Sequence, residues 1–551
     1  MGIHGRILDS LMEMYREVKM AVRIGGQIGP TFEANMGVKQ GDPLSPLLFG
    51  LFIDRIEKTF ANFLPEGGVQ MGCLLVQVLL YADDLVLLAE TPAELQKLLD
   101  LLNNFCVCNS LTVNVKKSEA VIFNPKHHRG EVQWLFRGQP LVVSPEFLYL
   151  GLLFDGEKGL GKCIDRNSAK GDGARFALIR RCYQLGIHNV ALKMHLFDAL
   201  VKPVVNYGCE LWGPGHLHLG NSFMGGVRGE IEKKNTAFLR SILGVRRSTP
   251  TAALMEELRR EPLAFSWLRQ TVSFWNRIMT RGDDDIVKVA MLENADMARS
   301  GNNCWARQLH KCIRRDTGID ILNTAAGATL DVTGIMNKVS AELQRSHATD
   351  MPVESANTAS LIRRVPDDVA GKPIKGFKYH TYSRWFSTQP SDRVTTFWHN
   401  LSRFKHIQIV AQFRLGAHWL NIESGRFHKQ PRSTRVCTCC SMLDREDELH
   451  LLTCPLYYFT RVEHVNIFTE FQGQSRKGIP LSIDLNTITD DEVCGFMNPP
   501  PFENQEQYHT FWLDFAHYLT RCKLKRNNYI EACLRQSLIT LEYTLPECLS
   551  P

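Results

Sequence analysis

The sequence predicts an α+β fold in three parts: an antiparallel sheet covered by helices, a mostly helical stretch, and a small Cys/His module. Three observations carry this. Residues 44–154 run in the order turn, helix, hairpin, helix, strand, strand, with helical apolar stripes alternating with short β-rich runs. From Phe176 to about Met297 the apolar spacing is helical. Cys437, Cys440, His450 and Cys454 then fall into the pattern C-x2-C-x9-H-x3-C.

With 551 residues, of which 44% are hydrophobic and 22% charged, the chain has room for two to four globular domains. A net charge of +6 permits a polyanionic partner without demanding one. No run approaches the ~18 uninterrupted apolar residues of a membrane span, so no membrane partner is expected. The opening segment lacks the apolar centre of a signal peptide. The sixteen Cys are scattered except near 437–454, which points to a reducing, intracellular compartment and one metal site.

In chain order, Ile7, Leu8, Leu11, Met14, Tyr15 and Val18 predict a helix over 6–20. Val22-Arg23-Ile24 reads as a strand turned by Gly25-Gly26. Gly37 to Pro46 (GVKQGDPLSP) is a shaped turn, with Ser45 as N-cap and Pro46 opening a helix. Leu47, Leu48, Leu51, Phe52, Ile56 and Phe60 give that helix one apolar face. Val76 to Ala89 (VQVLLYADDLVLLA) is a hairpin with Asp83 and Asp84 at its tip. Thr91-Pro92-Ala93-Glu94 is a capping box opening a helix that ends at Asn109-Ser110. Leu111–Val115 and Ala120–Phe123 read as strands, and Phe147 to Phe154 as a strand pair around Gly151. The Gly-rich stretch 155–174 reads as a mobile loop. Pro250 and Pro262 mark helix boundaries, and 298–375 reads as a linker with one or two helices.

Two adjacent carboxylates repel unless a cation sits between them or one is protonated. Hard oxygen ligands suit Mg²⁺; the alternative is a solvated hairpin tip. The succession of Gly37–Pro46, Tyr81-Ala82-Asp83-Asp84, Leu111–Glu119 and Phe147–Gly151 resembles the palm of non-LTR (LINE-type) retrotransposon reverse transcriptases. The likeness extends through Pro203–Trp212 and Leu239–Leu263. It implies an RNA-directed DNA polymerase acting on an RNA template and a DNA primer or target. In that reading Asp83 and Asp84 hold catalytic Mg²⁺, Gln40 and Gly41 line the template and nucleotide pocket, and Lys117 assists near the triphosphate. Tyr149, Leu150 and Gly151 take the place of the primer grip. Palms of this kind use a further Asp in an aromatic-x-Asp pattern upstream of the Gln-Gly turn, and no such pattern precedes Gly37. The expectation is therefore a palm that is N-terminally truncated, binds Mg²⁺ weakly and is inactive by itself.

The Cys/His spacing suits a closed tetrahedral Zn²⁺ site formed by Cys437, Cys440, His450 and Cys454, with Cys439 as a substitute ligand. The alternative is a reduced Cys-rich segment with His450 facing the core. The resemblance favours the metal, since LINE-type proteins carry a CCHC knuckle followed by Pro-x-Tyr and Arg, here Pro455-Leu456-Tyr457 and Arg461. Upstream, basic and aromatic residues interleave, and Arg414, Arg426, Arg432 and Arg435 are candidates for binding single-stranded nucleic acid. A solvated basic face is the competing explanation. The predicted division is 1–155 partial palm, 156–297 helical thumb-like region, 298–400 linker, 401–470 basic region with knuckle, and 471–551 helical tail.

Overall fold

The computed structural model describes residues 4–34, 37–124, 132–217, 229–323, 328–348, 368–369, 372–373, 381–383, 385–386, 396–428, 430–431, 434–442, 444–464 and 504–543. Arg432 and most of the expected tail before residue 504 lie outside them. By internal contacts the chain forms two units, Met1–Leu160 with Ile278–Ser300, and Gly161–Arg277 with Gly301–Pro551.

The first unit opens on α1 (Arg6–Arg16) and the hairpin β1 (Lys19–Ile24) and β2 (Gln27–Glu33), turned by left-handed Gly25 and Gly26. The opening helix is shorter than predicted, because Lys19 to Ile24 pair across to β2. After the Gly37–Pro46 turn come two helices where one was expected, α2 (Ser45–Ile53) and α3 (Arg55–Phe63). Ser45 does not cap. It is itself helical, and its hydroxyl donates back to the Lys39 carbonyl at 2.6 Å. Separating the helices at Asp54 sends Ile56 and Phe60 into the core while Leu47 and Phe52 stay exposed.

Next come β3 (Val69–Met71), β4 (Leu74–Val76), β5 (Val78–Tyr81), β6 (Asp84–Leu87) and α4 (Pro92–Cys108). The capping box forms as predicted: Thr91 accepts from the Glu94 amide, and Glu94 accepts from the Thr91 amide. Leu111–Asn114 is not a strand; a 3₁₀ turn at Val115–Lys117 follows it. The remaining strands are β7 (Glu119–Ala120), β8 (Leu135–Phe136), β9 (Gln139–Pro140), β10 (Val142–Val143), β11 (Glu146–Tyr149) and β12 (Leu152–Asp155). In place of one sheet the described strands form two-stranded pairs, and β7 runs parallel to β10. Strands β5 to β8 meet in a common apolar core more than through shared ladders, whereas β1 and β2 are exposed along their whole length. In that core Leu98, Leu99, Leu102 and Phe105 of α4 pack with Ile56, Phe60, Val78, Trp134 and Phe136. Each such side chain stabilises by roughly 1.5–3 kcal/mol on burial.

The second unit begins with α5 (Cys163–Gln184), which replaces most of the mobile loop expected over 155–174. Its Gly171 marks close packing, since a Cβ there would stand 2.1 Å from Val205 Cγ1. Helices α6 (Val190–Leu200), α7 (Lys202–Val205), α8 (Cys209–Leu217), α9 (Glu230–Leu243), α10 (Thr251–Glu257) and α11 (Leu263–Met279) follow, with boundaries at Pro250 and Pro262 as predicted. Buried Glu232 joins α9 to the start of α11: it accepts the Leu263 amide and the Asn235 side-chain amide, both at 2.7 Å. Burial pushes its carboxyl up to about 7.

After α12 (Ile286–Arg299), which belongs to the first unit, come α13 (Trp305–Thr317) and α14 (Val332–Ala348). The expected linker is thus partly core. Leu309, Cys312 and Ile313 of α13 are buried, and the Trp305 indole donates to the Glu210 carbonyl at 3.0 Å. The last elements are α15 (Phe397–Asn400), α16 (Phe404–Arg414), α17 (Asn421–Phe427), α18 (His450–Thr453), α19 (Tyr458–Glu463) and α20 (Gln505–Tyr543). α20 falls within the stretch expected as a helical tail, and its Phe511, Trp512, Phe515, Tyr518, Leu519 and Cys522 are all buried.

Candidate catalytic hairpin and metal centre

The acidic hairpin is built by period-two burial. Val78 and Leu80, facing Leu87 and Leu85 across the ladder, turn toward the α4 core, while Leu79 faces out. Tyr81 pairs with Asp84, leaving Ala82 and Asp83 as a two-residue loop. Tight hairpin loops need a left-handed residue, and Ala82 supplies it at φ 52°. A left-handed alanine costs roughly 1–2 kcal/mol; it holds Asp83 and Asp84 exposed at the tip.

The β11–β12 turn is equally tight. Leu150 at φ 46° and Gly151 at φ 81° are its two central residues, with Tyr149 opposite Leu152. Tyr149 is raised above an ordinary phenol, first by burial and then by the negative charge of Asp84. The charge of Asp84 thus reaches Tyr149, some sixty residues further along the chain.

The Gln40–Gly41 turn is organised separately. Asp42 accepts the Leu44 amide at 3.0 Å and the Tyr15 hydroxyl at 3.3 Å, and Lys39 donates to the Met14 carbonyl at 2.9 Å. Gln40 and Gly41 are exposed, as is Lys117 on its 3₁₀ turn. Among the described residues no hydrogen bond or ion pair joins either segment to Asp83 or Asp84. No group of three metal-ligating atoms within 4.8 Å includes either Asp among the described residues. The two exposed carboxylates are hard oxygen donors of the kind Mg²⁺ takes.

The Cys/His set is assembled. Ligand atoms of Cys437, Cys440, His450 and Cys454 all lie within 4.8 Å of one another. Cys440 Sγ stands 3.5 Å from His450 Nε2. Zn–S and Zn–N bonds at a tetrahedral angle require roughly 3.6 Å between such atoms. A short β-bridge between Val436 and Arg445 closes the loop, and the Cys437 amide donates to the Asp444 carbonyl at 2.7 Å. Hydrogen bonds from the Cys439 and Cys454 thiols lower the Cys437 thiol, in the direction of the thiolate form in which cysteine binds a metal. His450 Nδ1 has the Asp444 carboxylate 3.9 Å away, on the side from which carboxylates orient metal-bound imidazoles. This buried set of soft donors fits Zn²⁺. Cys439 instead stands with Cys437 and Glu446.

The loop is anchored by Arg461, which the sequence pattern named, and by Glu446, Arg526 and Tyr518, which it did not. Glu446 accepts two hydrogen bonds from Arg526 of α20, at 2.5 and 2.8 Å, and the Asn421 amide at 2.9 Å. Arg461 donates to the Cys454 carbonyl at 2.9 Å, and the Tyr518 hydroxyl to that of Leu451 at 3.3 Å. The available signal was the acidic run Asp444–Glu448 between the ligands and an Arg one turn beyond Cys522.

The basic candidates divide. Arg414 is 3% exposed, pairs with buried Glu257 at 3.1 Å and donates to the Phe386 carbonyl. Its charge serves the core, so it is not presented to a phosphate. Arg435 donates to the Gln430 and Ile422 carbonyls, bracing the loop ahead of Cys437. Arg426 stays accessible, with Glu423 only at 4.0 Å.

With an acidic hairpin, a neighbouring Tyr-Leu-Gly turn and a Cys/His loop, the chain has the parts of a polymerase-derived protein, and the comparisons agree. Residues 5–154 match the family model described as Reverse transcriptase (RNA-dependent DNA polymerase). The chain thus carries a reverse transcriptase domain of the non-LTR retrotransposon type. It is similar to the Pol polyprotein of the type-2 retrotransposable element R2DM of Drosophila melanogaster, 37% identical over 155 residues, covering 27% of this chain and 14% of that protein. It is similar to the R2 polyproteins of Popillia japonica, 28% over 160 residues (28% and 26%), and Nasonia vitripennis, 42% over 87 residues (16% and 8%). The chain thus matches at most about a quarter of the length of these relatives. Among the described residues no helix is long and apolar enough to cross a membrane.

Proposed function

We propose that this chain works within an RNA-directed DNA polymerase of a non-LTR retrotransposon, with an RNA template and a DNA primer or target as partners. The observation that carries the reading is the acidic tip: Asp83 on a strained two-residue loop and Asp84 at the start of the following strand, both exposed, with the charge of Asp84 reaching Tyr149. Asp83 and Asp84 would hold Mg²⁺, which when bound activates the primer 3′-oxygen and stabilises the leaving pyrophosphate. Lys117, exposed on its turn, would offset charge on the triphosphate; Gln40 and Gly41 would meet the template and nucleotide, and Tyr149–Gly151 the primer end.

Two adjacent carboxylates at one tip are fewer than a two-metal clamp needs. Primer extension by this chain alone is therefore expected at background, rising when a fingers fragment carrying a further Asp is supplied. Extension on an RNA template with Mg²⁺ or Mn²⁺, compared with Asp83→Ala, tests this; equal extension by both proteins in the supplemented reaction would overturn it. A second reading, a non-catalytic nucleic-acid-binding protein centred on the zinc loop, is favoured by the closure of the Cys/His set beside the openness of the acidic tip. Bound zinc and RNA, with no extension under any supplement, would favour it.

A further inference from the structure

Phe427, the last residue of α17, leaves 54% of its surface exposed. Two guanidinium groups stand over its ring, Arg246 at 4.8 Å from the centroid and Arg426 at 5.6 Å. Arg246 comes from the loop after α9, far away in sequence, and the start of that loop is held in place. α9 ends on left-handed Gly244, whose carbonyl accepts the side-chain amides of Gln408 and Gln412 of α16 at 3.3 and 2.9 Å. A Cβ at Gly244 would meet Gln408 at 2.8 Å, so the approach is close. Arg246 and its neighbour Arg247 are exposed, and neither has a carboxylate partner among the described residues.

An exposed ring flanked by arginines, of which Arg246 and Arg247 have no carboxylate partner among the described residues and Arg426 has Glu423 at 4.0 Å, offers two things at once. The aromatic–guanidinium stack has flat π surfaces for an unpaired base, and the free guanidinium charge suits a phosphate backbone. A paired duplex hides its base faces, and an acidic peptide brings no ring to stack. We propose that Arg246, Arg247, Arg426 and Phe427 form a stacking platform for single-stranded nucleic acid, with a base against the Phe427 stack and phosphates on Arg246 and Arg247. This rests on the nucleic-acid side of the reading above, not on polymerase chemistry.

The test is fluorescence anisotropy with the full chain and zinc, using labelled single-stranded RNA and DNA dodecamers, a blunt duplex, and heparin as a competitor without bases. Phe427→Ala is expected to weaken single-strand binding between about 5- and 150-fold with the salt slope unchanged. Phe427→Leu, which keeps an apolar side chain, should lose as much, and Phe427→Trp should restore binding. Arg246→Ala with Arg247→Ala should lower the magnitude of the log–log salt slope by roughly 1.4 on single strands. The tighter of RNA and DNA then identifies the natural strand. Unchanged binding in Phe427→Ala, parallel loss on the duplex, or heparin affinity falling with Phe427 overturns the platform. Phe427-dependent binding with no primer extension even in the reaction supplemented with a fingers fragment would count against the polymerase reading alone, whereas extension there with Phe427-independent binding would count against the platform alone.

Discussion

Replacing Glu232 by Gln tests how burial sets the electrostatics of the helical unit. Glu232 is enclosed between α9 and α11, and burial raises its carboxyl from 4.5 to about 7 against the opposing hydrogen bonds of Asn235, Leu263 and Ala264. The folded protein therefore keeps a proton that the unfolded chain has lost between these pH values. Its contribution to stability is fully present below pH 4.5, falls as pH rises, and is lost above about 7. The gap, at ~1.36 kcal/mol per pH unit, amounts to about 3 kcal/mol. A Gln keeps an acceptor for the Leu263 amide, and its NH₂ can donate to the Asn235 Oδ1, which is buried without a partner. Glu232→Gln should match the native protein near pH 4.5 and exceed it by up to about 3 kcal/mol at pH 8.5. Urea unfolding followed by tryptophan fluorescence across that range reads the difference. A gap that does not vary with pH, or a variant weaker at pH 8.5, would show that Glu232 is a charged cap held by its three donors and refute the reasoning.

Other outcomes follow from the same structure. Cys437→Ser with Cys440→Ser should abolish binding of one zinc equivalent, measured by metal analysis after dialysis, and open 436–464 to protease, because the ligands close that loop. Arg414→Met should destabilise the protein by about 3–5 kcal/mol by leaving Glu257 buried and unpaired. In the same variant the salt slope of RNA binding should stay put, whereas a phosphate contact would lower it. Gly171→Val should cost at least about 1–3 kcal/mol by denaturant melting, since its first added carbon already meets Val205.

Local chemistry determined much of this protein directly from its sequence. Thr91 and Glu94 form their capping box, Asp83-Asp84 fall on a tight bend between apolar strands, and the Cys/His spacing closes into one cluster, because each depends on residues a few positions apart. Periodicity also located most helix boundaries, where Pro and Gly act on their own backbone. Only tertiary structure decided the rest, because each remaining feature depends on a distant partner. Most of Gly-rich 155–174 joined a helix, in which Gly171 packs closely against distant Val205. Arg414, read as a phosphate ligand, turned inward because Glu257 was waiting in the core. Strand partners, the neighbours of a buried charge, and the arginine that reaches Phe427 are all set by chain segments that meet only on folding, and no local pattern encodes them.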